Sequence, residues 1–161
     1  MKRSLLVHTL LLILLPICLI HSQTDAYRTE CLDLLEKGEA AKALEKMTEA
    51  VKIAPEIAEN CFVLGKAHNA MKNGKAALLD FQKADSLKLA SSEFYLIYGI
   101  TFFDVGNNKE AFNCLLNCTF HTNSVNDRFK SYIPEVTKAY LGKKQMSNSN
   151  AEKYFFSLKN N

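Results

Sequence analysis

The chain resembles itself when its sequence is shifted by 34 residues, and the alignment needs no gap. The coincident positions hold small residues, large apolar residues or acidic residues, each kind in its own register. They are Ala43, Ala77 and Ala111; Met47, Phe81 and Leu115; Ala50, Ala84 and Cys118; Cys31, Gly65 and Gly99; and Asp25, Glu59 and Glu93. A repeat of this length predicts a solenoid, in which each unit buries its apolar face against the next unit.

The spacing of apolar residues within each unit predicts helices. Leu78, Phe81 and Ala84 lie three residues apart, which places them on one face of an α-helix. Only three prolines and six glycines occur in 161 residues, and this scarcity favours helices over strands joined by many turns. The predicted helices lie near 25–37, 40–53, 57–72, 75–88, 91–105, 108–121 and 126–141.

Helix ends are predicted from residues that accept a left-handed backbone. Gly38 and Gly106 fall between the two apolar runs of their units, where such a residue commonly ends a helix. We expect Asn73-Gly74 to do the same in the middle unit. Pro134 lies inside the seventh predicted helix, so we expect a kink or a restart there.

These residues resemble the tetratricopeptide repeat (TPR), a helix–turn–helix unit of the same length. The second unit carries the closest match, with Leu64-Gly65, His68, Ala77, Phe81 and Ala84. The resemblance implies an all-α solenoid of three TPR repeats plus a C-terminal capping helix. The implied boundaries are 24–57, 58–91 and 92–125 for the repeats (together 23–125), 126–144 for the capping helix, and 145–161 for a polar linker and short amphipathic tail.

The N-terminal residues have the order of a secretory signal peptide. Lys2 and Arg3 precede an apolar stretch that reaches Ile20, and a polar sequence follows from His21. A basic start, a short apolar core and a small residue before the cut are typical of such leaders. We therefore expect residues 1–22 to be a signal peptide and the protein to be exported, periplasmic or secreted. An uncleaved segment that anchors the chain to a membrane is one alternative, and a lipid-modified Cys18 is another.

Signs of enzyme chemistry are missing from the sequence. It shows no glycine-rich phosphate loop, nucleophile elbow or His-Glu-x-x-His element. His68 shares its register with Leu34 and Phe102, so we expect a packed imidazole there rather than a catalyst or ligand. We predict no enzyme activity, no cofactor and no metal site. Without Lys2 and Arg3 the basic and acidic residues nearly balance, which also argues against nucleic acid as a partner.

Four cysteines follow the proposed leader, at Cys31, Cys61, Cys114 and Cys118. Cys31 and Cys118 occupy registers that otherwise hold glycine or alanine, which indicates buried thiols packed as small apolar groups. Cys114 and Cys118 are four residues apart on one predicted helix, where the geometry does not suit a disulfide. We expect free thiols, with Cys31 and Cys61 as the pair least easily excluded.

The predicted function is protein binding. In the TPR family the first helix of each pair lines a concave face, and this implies a groove formed by nine residues: Arg28, Leu32, Leu35, Phe62, Lys66, Asn69, Leu96, Ile100 and Phe103. The groove residues of the third unit are all apolar: Leu96, Ile100 and Phe103. We interpret them as an exposed patch that serves as an interaction site. Three occupants remain open for it: a partner peptide or helix, the chain's own seventh helix or tail, and a second copy.

The family also includes members that bind the C-terminal carboxylate of heat-shock chaperones through a cluster of basic and asparagine residues. In this chain the matching positions hold Leu32, Val63, Glu93 and Ile97, and only Arg28 is basic. The resemblance therefore implies a protein–protein interaction module, a scaffold or adaptor in the envelope or extracellular space, without this specialised activity. The alternative is a structural or assembly subunit whose groove is filled by its own tail or by another copy.

Overall fold

The computed structural model describes residues 2–121 and 127–158, with the side chains of residues 16, 18–121 and 127–158. These residues form eight α-helices and no strand, which confirms the predicted all-α fold. The helices are α1 (Lys2–Glu36), α2 (Ala40–Ile53), α3 (Ala58–Ala70), α4 (Gly74–Ser86), α5 (Ser92–Asp104), α6 (Asn108–Phe120), α7 (Asp127–Leu141) and α8 (Asn148–Ser157).

The first helix differs from the prediction because it begins at Lys2 rather than near residue 25. No glycine or proline lies between Pro16 and Gly38, so nothing in this stretch stops a helix. Across the expected boundary, the Thr24 hydroxyl donates to the carbonyl oxygen of His21 at 3.1 Å. Within the described parts of the chain, no helix combines the length and the apolar content needed to cross a membrane.

The turns between paired helices follow from a few backbone positions. Gly38 and Gly106 have φ angles of +77° and +84°, as expected for residues that end a helix in the left-handed region. The prediction for the middle unit was wrong, because Lys72 takes the left-handed conformation there with a φ of 60°. Asn73 instead caps α4 through its side chain, which accepts from the N–H of Ala76 at 3.2 Å.

The repeated small residues lie where paired helices meet. Ala43, Ala77 and Ala111 are fully buried, which confirms the predicted register. A Cβ atom added at Gly65 would lie 2.3 Å from Cε1 of Phe81, so only glycine lets α3 approach that ring. The 34-residue repeat is therefore a repeat of close helix contacts.

The helices form two layers. The odd-numbered helices contact one another in the order α1, α3, α5 and α7, and form an inner layer. The even-numbered helices α2, α4 and α6 each pack against the odd-numbered helices before and after them and form an outer layer. The chain alternates between these layers, as expected for a helical-repeat solenoid.

The last two helices form a fourth pair. Ala151 and Phe155 are fully buried and lie four residues apart, as Ala77 and Phe81 do in the second unit. The Phe155 ring centroid is 5.3 Å from that of Phe112 in α6 and 6.1 Å from that of Phe129 in α7. The tail thus covers the end of the core, and α7 continues through Pro134 without a restart.

The four cysteines of the repeat region are buried and unpaired. Free thiols were expected, and the small-residue registers of Cys31 and Cys118 had predicted their burial. Burial raises the pKa of Cys31 and of Cys118 to about 11. Burial, with a smaller contribution from nearby carboxylates, raises the pKa of Cys114 to about 12. These thiols are protonated apolar packing groups at neutral pH.

Candidate binding face on the inner layer

The structure brings the nine predicted groove residues into the inner layer. Arg28, Leu32 and Leu35 belong to α1, whereas the second and third groups belong to α3 and α5. Helices α1 and α3 are in contact, as are α3 and α5. We call the surface of α1, α3, α5 and α7 that faces away from the outer layer the inner face.

The polar members of this set join neighbouring helices. Arg28 donates to the side-chain oxygen of Asn60 at 2.5 Å and forms an ion pair with Asp25 in its own helix. Asn69 donates to the Thr101 hydroxyl at 2.6 Å. The first hydrogen bond joins α1 to α3 and the second joins α3 to α5, and each connects residues 32 positions apart. The two pairs of neighbouring inner helices are therefore held in the same register.

Lys66 has two partners on the inner face. Its ammonium nitrogen lies 3.0 Å from Oε1 of Glu93 in α5 and 5.5 Å from the centroid of the Phe62 ring. The first contact is an ion pair and the second a cation–π contact. Because Glu93 is mostly exposed, the ion pair contributes little to stability.

The apolar members are more buried than the sequence indicated. Leu96 and Ile100 are only 5% exposed, so the interpretation of the third unit as an exposed patch was wrong for these two residues. Helix α5 has α3 on one side and α7 on the other, and the projection of a single helix cannot show that coverage. Phe103 is half-buried, and its ring centroid lies 6.3 Å from that of Tyr132 in α7.

The described part of the C-terminal tail, which ends at residue 158, does not fill the inner face. Helix α8 packs against α7 and reaches Phe112 of the outer layer, and it makes no extensive contact with α1, α3 or α5. The interpretation that the groove is occupied by the chain's own tail was therefore wrong. Helix α7 covers part of the face near Phe103, whereas Leu32 and Leu35 of α1 remain half-buried.

His68 has a partner that the sequence did not reveal. Its Nδ1 lies 2.6 Å from Oδ2 of Asp80 in α4, so the imidazole links the two helices of the second pair. Burial raises the pKa of Asp80, and the contact with His68 opposes that rise. Both side chains are about one-fifth exposed. Among the described residues, no group of three or more potential ligands could hold a metal ion.

Comparisons with known proteins give the class of fold. No protein-family model matches the sequence, and no curated protein matches it. The structure is similar to that of the first TPR of Spaghetti (RPAP3) bound to the HSP90 peptide SRMEEVD, with a TM-score of 0.68 and 14% identity over 74% of this chain and 94% of that one.

Two further solved structures show the same likeness. The TPR2B domain of yeast Sti1 in a complex with pHsp70 has a TM-score of 0.60 and 21% identity, over 77% of this chain and 98% of that one. The Yersinia enterocolitica type III secretion chaperone SycD, with a peptide of the translocator YopD, has a TM-score of 0.59 and 13% identity, over 75% and 92%. The fold is therefore that of a TPR-type helical solenoid.

Proposed function

We propose that this chain is a non-enzymatic protein-binding module, a scaffold or adaptor, whose inner face holds a peptide or helix of a partner protein. The observation that carries the proposal is the continuous inner layer, which the chain's own tail leaves open and on which Leu32, Leu35 and Phe103 stay half-buried. Apolar side chains that are partly open on one face supply anchor sites for an amphipathic ligand.

The comparisons support peptide binding without naming a ligand. Two of the similar structures, those of Spaghetti (RPAP3) and SycD, hold peptides. The ligand of this chain differs in chemistry from a chaperone C-terminus, because the inner face has Leu32 and Glu93 at positions that would need to attract a carboxylate. The proposed ligand therefore contributes apolar side chains that anchor on Leu32, Leu35 and Phe103.

Site-specific photo-crosslinking in the native host tests this proposal. A photoreactive residue placed at Leu35 or Asn69 reports on the inner face, and one at Leu79, which is 68% exposed in the outer-layer helix α4, is the matched control. We expect the two inner positions to crosslink to the same segment of one partner, and Leu35→Asp to abolish the Asn69 crosslink. Equal labelling from Leu79, or no inner-face product, would overturn the proposal.

The same experiment separates a second copy from a different partner. A crosslinked product with twice the mass of this chain, joined from Leu35 or Asn69, would show that the face is filled by another copy. That outcome supports the alternative of a structural or assembly subunit. It would also replace the adaptor proposal.

We further propose that residues 1–22 direct export, so that the module acts in the envelope or the extracellular space. The support is the basic, apolar and polar order of these residues. N-terminal sequencing and intact mass of the protein from the exported fraction test it, and we expect a chain that begins at Gln23. An intact N-terminus in the membrane fraction would favour an anchor, and a lipid mass on Cys18 would favour lipidation.

A further inference from the structure

A second groove lies on the opposite side of the molecule from the inner face. The groove runs between the outer-layer helices α4 and α6, which make no extensive contact with each other. Helix α5 forms the floor of the groove. We call it the outer groove. Its volume is about 530 Å³, which falls within the range of small-ligand and side-chain pockets.

The floor of the outer groove is aromatic. Tyr95, Tyr98 and Phe102 line it, and the rings of Tyr98 and Phe102 lie 4.6 Å apart between centroids. Tyr98 is only 7% exposed, yet its hydroxyl makes no hydrogen bond to any residue that the structure describes. In the described part of the chain, Thr137 has the only fully buried side-chain oxygen without a partner, so the Tyr98 hydroxyl is accessible from the groove and a ligand can hydrogen-bond to it there.

The walls of the groove are acidic and rich in amides. Asp85 comes from α4 and Glu110 from α6, and neither carboxylate forms an ion pair within the described residues. Gln82, Asn113 and Asn117, which carry side-chain amides, also line the groove, and no lysine or arginine from the described ranges does so. Burial is the main cause of the raised pKa of Cys114, and the negative charges of Glu110 and Asp85 add to it. Both carboxylates are therefore close enough to the Cys114 thiol to influence it.

We infer that the outer groove binds an arginine side chain presented by a partner protein. A guanidinium is planar and stacks on aromatic rings, and its N–H donors spread in a fork that two carboxylates and amide oxygens can accept. The groove supplies an aromatic floor in Tyr98 and Phe102 and unpaired acids in Asp85 and Glu110. This site goes beyond the proposed function, because it lies on the other face and does not require a ligand on the inner face.

Titration of the full-length, isotope-labelled chain with short peptides tests the inference by NMR. The probe is acetyl-Gly-Gly-Arg-Gly-Gly-amide, and its citrulline counterpart keeps the shape but lacks the charge. We expect the arginine peptide to shift the side-chain amide signals of Gln82 and Asn113, with at least about tenfold weaker binding of the citrulline peptide.

Two charge-removing variants assign the binding to the groove. Glu110→Gln and Asp85→Asn should each weaken the arginine peptide at least about fivefold, whereas Glu49→Gln, at an exposed acid on α2, should change nothing. Circular dichroism of each variant checks that its helices are intact. Equal binding of the citrulline peptide, unchanged affinity in both groove variants, or shifts confined to inner-face residues such as Asn69 would overturn the inference.

Discussion

Adding one methyl group at Gly65 should destabilise the protein despite the general preference of helices for alanine. The new Cβ would lie 2.3 Å from Cε1 and 2.6 Å from Cδ1 of Phe81, and real Cβ atoms keep at least about 3 Å from such neighbours. The Phe81 ring cannot move freely, because it is fully buried and its centroid lies 5.6 to 6.3 Å from those of Phe62, Phe94 and Tyr98.

The expected magnitude is the difference between two effects. Overpacking a core of this kind costs roughly 1–3 kcal/mol, and the contact distance places Gly65→Ala near the upper end. Replacing glycine by alanine within a helix stabilises the folded state by about 1 kcal/mol. We therefore expect the free energy of unfolding to fall by about 1–2 kcal/mol, and the Tm by about 2–8 °C for a chain of this length.

The other repeats show how the clash should be relieved. The first repeat has Cys31 with flexible Met47, and the third has Gly99 with Leu115, so only the middle repeat pairs glycine with a phenylalanine ring. Phe81→Leu should therefore partly rescue Gly65→Ala, with a favourable coupling of about 1 kcal/mol in the double variant. Urea unfolding followed by circular dichroism compares four proteins: the wild type, the two single variants and the double variant. Gly99→Ala is a milder control, because the nearest neighbour of its new Cβ would be 3.1 Å away.

The reasoning would be refuted if Gly65→Ala melted at or above the wild-type temperature. Strict additivity of Gly65→Ala and Phe81→Leu would also count against it. Either result would mean that α3 and α4 do not touch at this point, and the close approach of paired helices would lose its best-defined contact.

Three other perturbations have defined outcomes. Ala77→Leu should lower the free energy of unfolding by about 1–3 kcal/mol through overpacking, whereas Ala41→Leu at an exposed position of α2 should have little effect; equal melting curves would refute the register. Phe155→Ala should cost about 3–5 kcal/mol and Tyr154→Ala, which is 37% exposed, much less; equal losses in urea unfolding would show that α8 does not pack as described. Because its pKa is raised from 9.0 to about 12, Cys114 should carry about a thousandfold less thiolate at pH 8 than an ordinary cysteine; rapid alkylation of the native protein, measured by mass spectrometry, would contradict this.

The sequence predicted the repeat region well because its register residues act locally. Ala77 and Gly65 are small residues that recur at the repeat spacing, and such residues mark close helix contacts. Gly38 ends α1 because glycine readily adopts the left-handed backbone conformation. These signals depend on one residue and its near neighbours. Periodicity and turn chemistry can therefore recover them from a single chain.

The features that the sequence did not predict depend on contacts between distant segments. Leu96 and Ile100 are buried by the arrangement of whole helices around α5, which the projection of one helix cannot include. Phe155 in the tail packs against Phe112, which lies 43 positions earlier in the sequence. A longer connection after Gly142 shifts this last pair out of the 34-residue register, and a strict repeat alignment therefore missed it.

The outer groove was missed for a related reason. Tyr98 and Phe102 have the spacing of ordinary core residues, and nothing in the sequence shows that α4 and α6 leave them open between two acids. His68 and Asp80 also meet across two helices. Polar and aromatic sites of this kind become visible only when the tertiary arrangement is known.

The hydrogen bond between Thr24 and His21 has a consequence for a processed chain. If the leader is removed after residue 22, Thr24 loses its acceptor and becomes the second residue of the new terminus. A threonine there can receive the amide hydrogen of Tyr27, and Asp25 then stands beside the positive pole of the shortened helix. The mature protein would thus begin with a capped helix, and α1 would keep the segment that belongs to the first repeat after losing residues 2–22, which are 21 of its 35 residues.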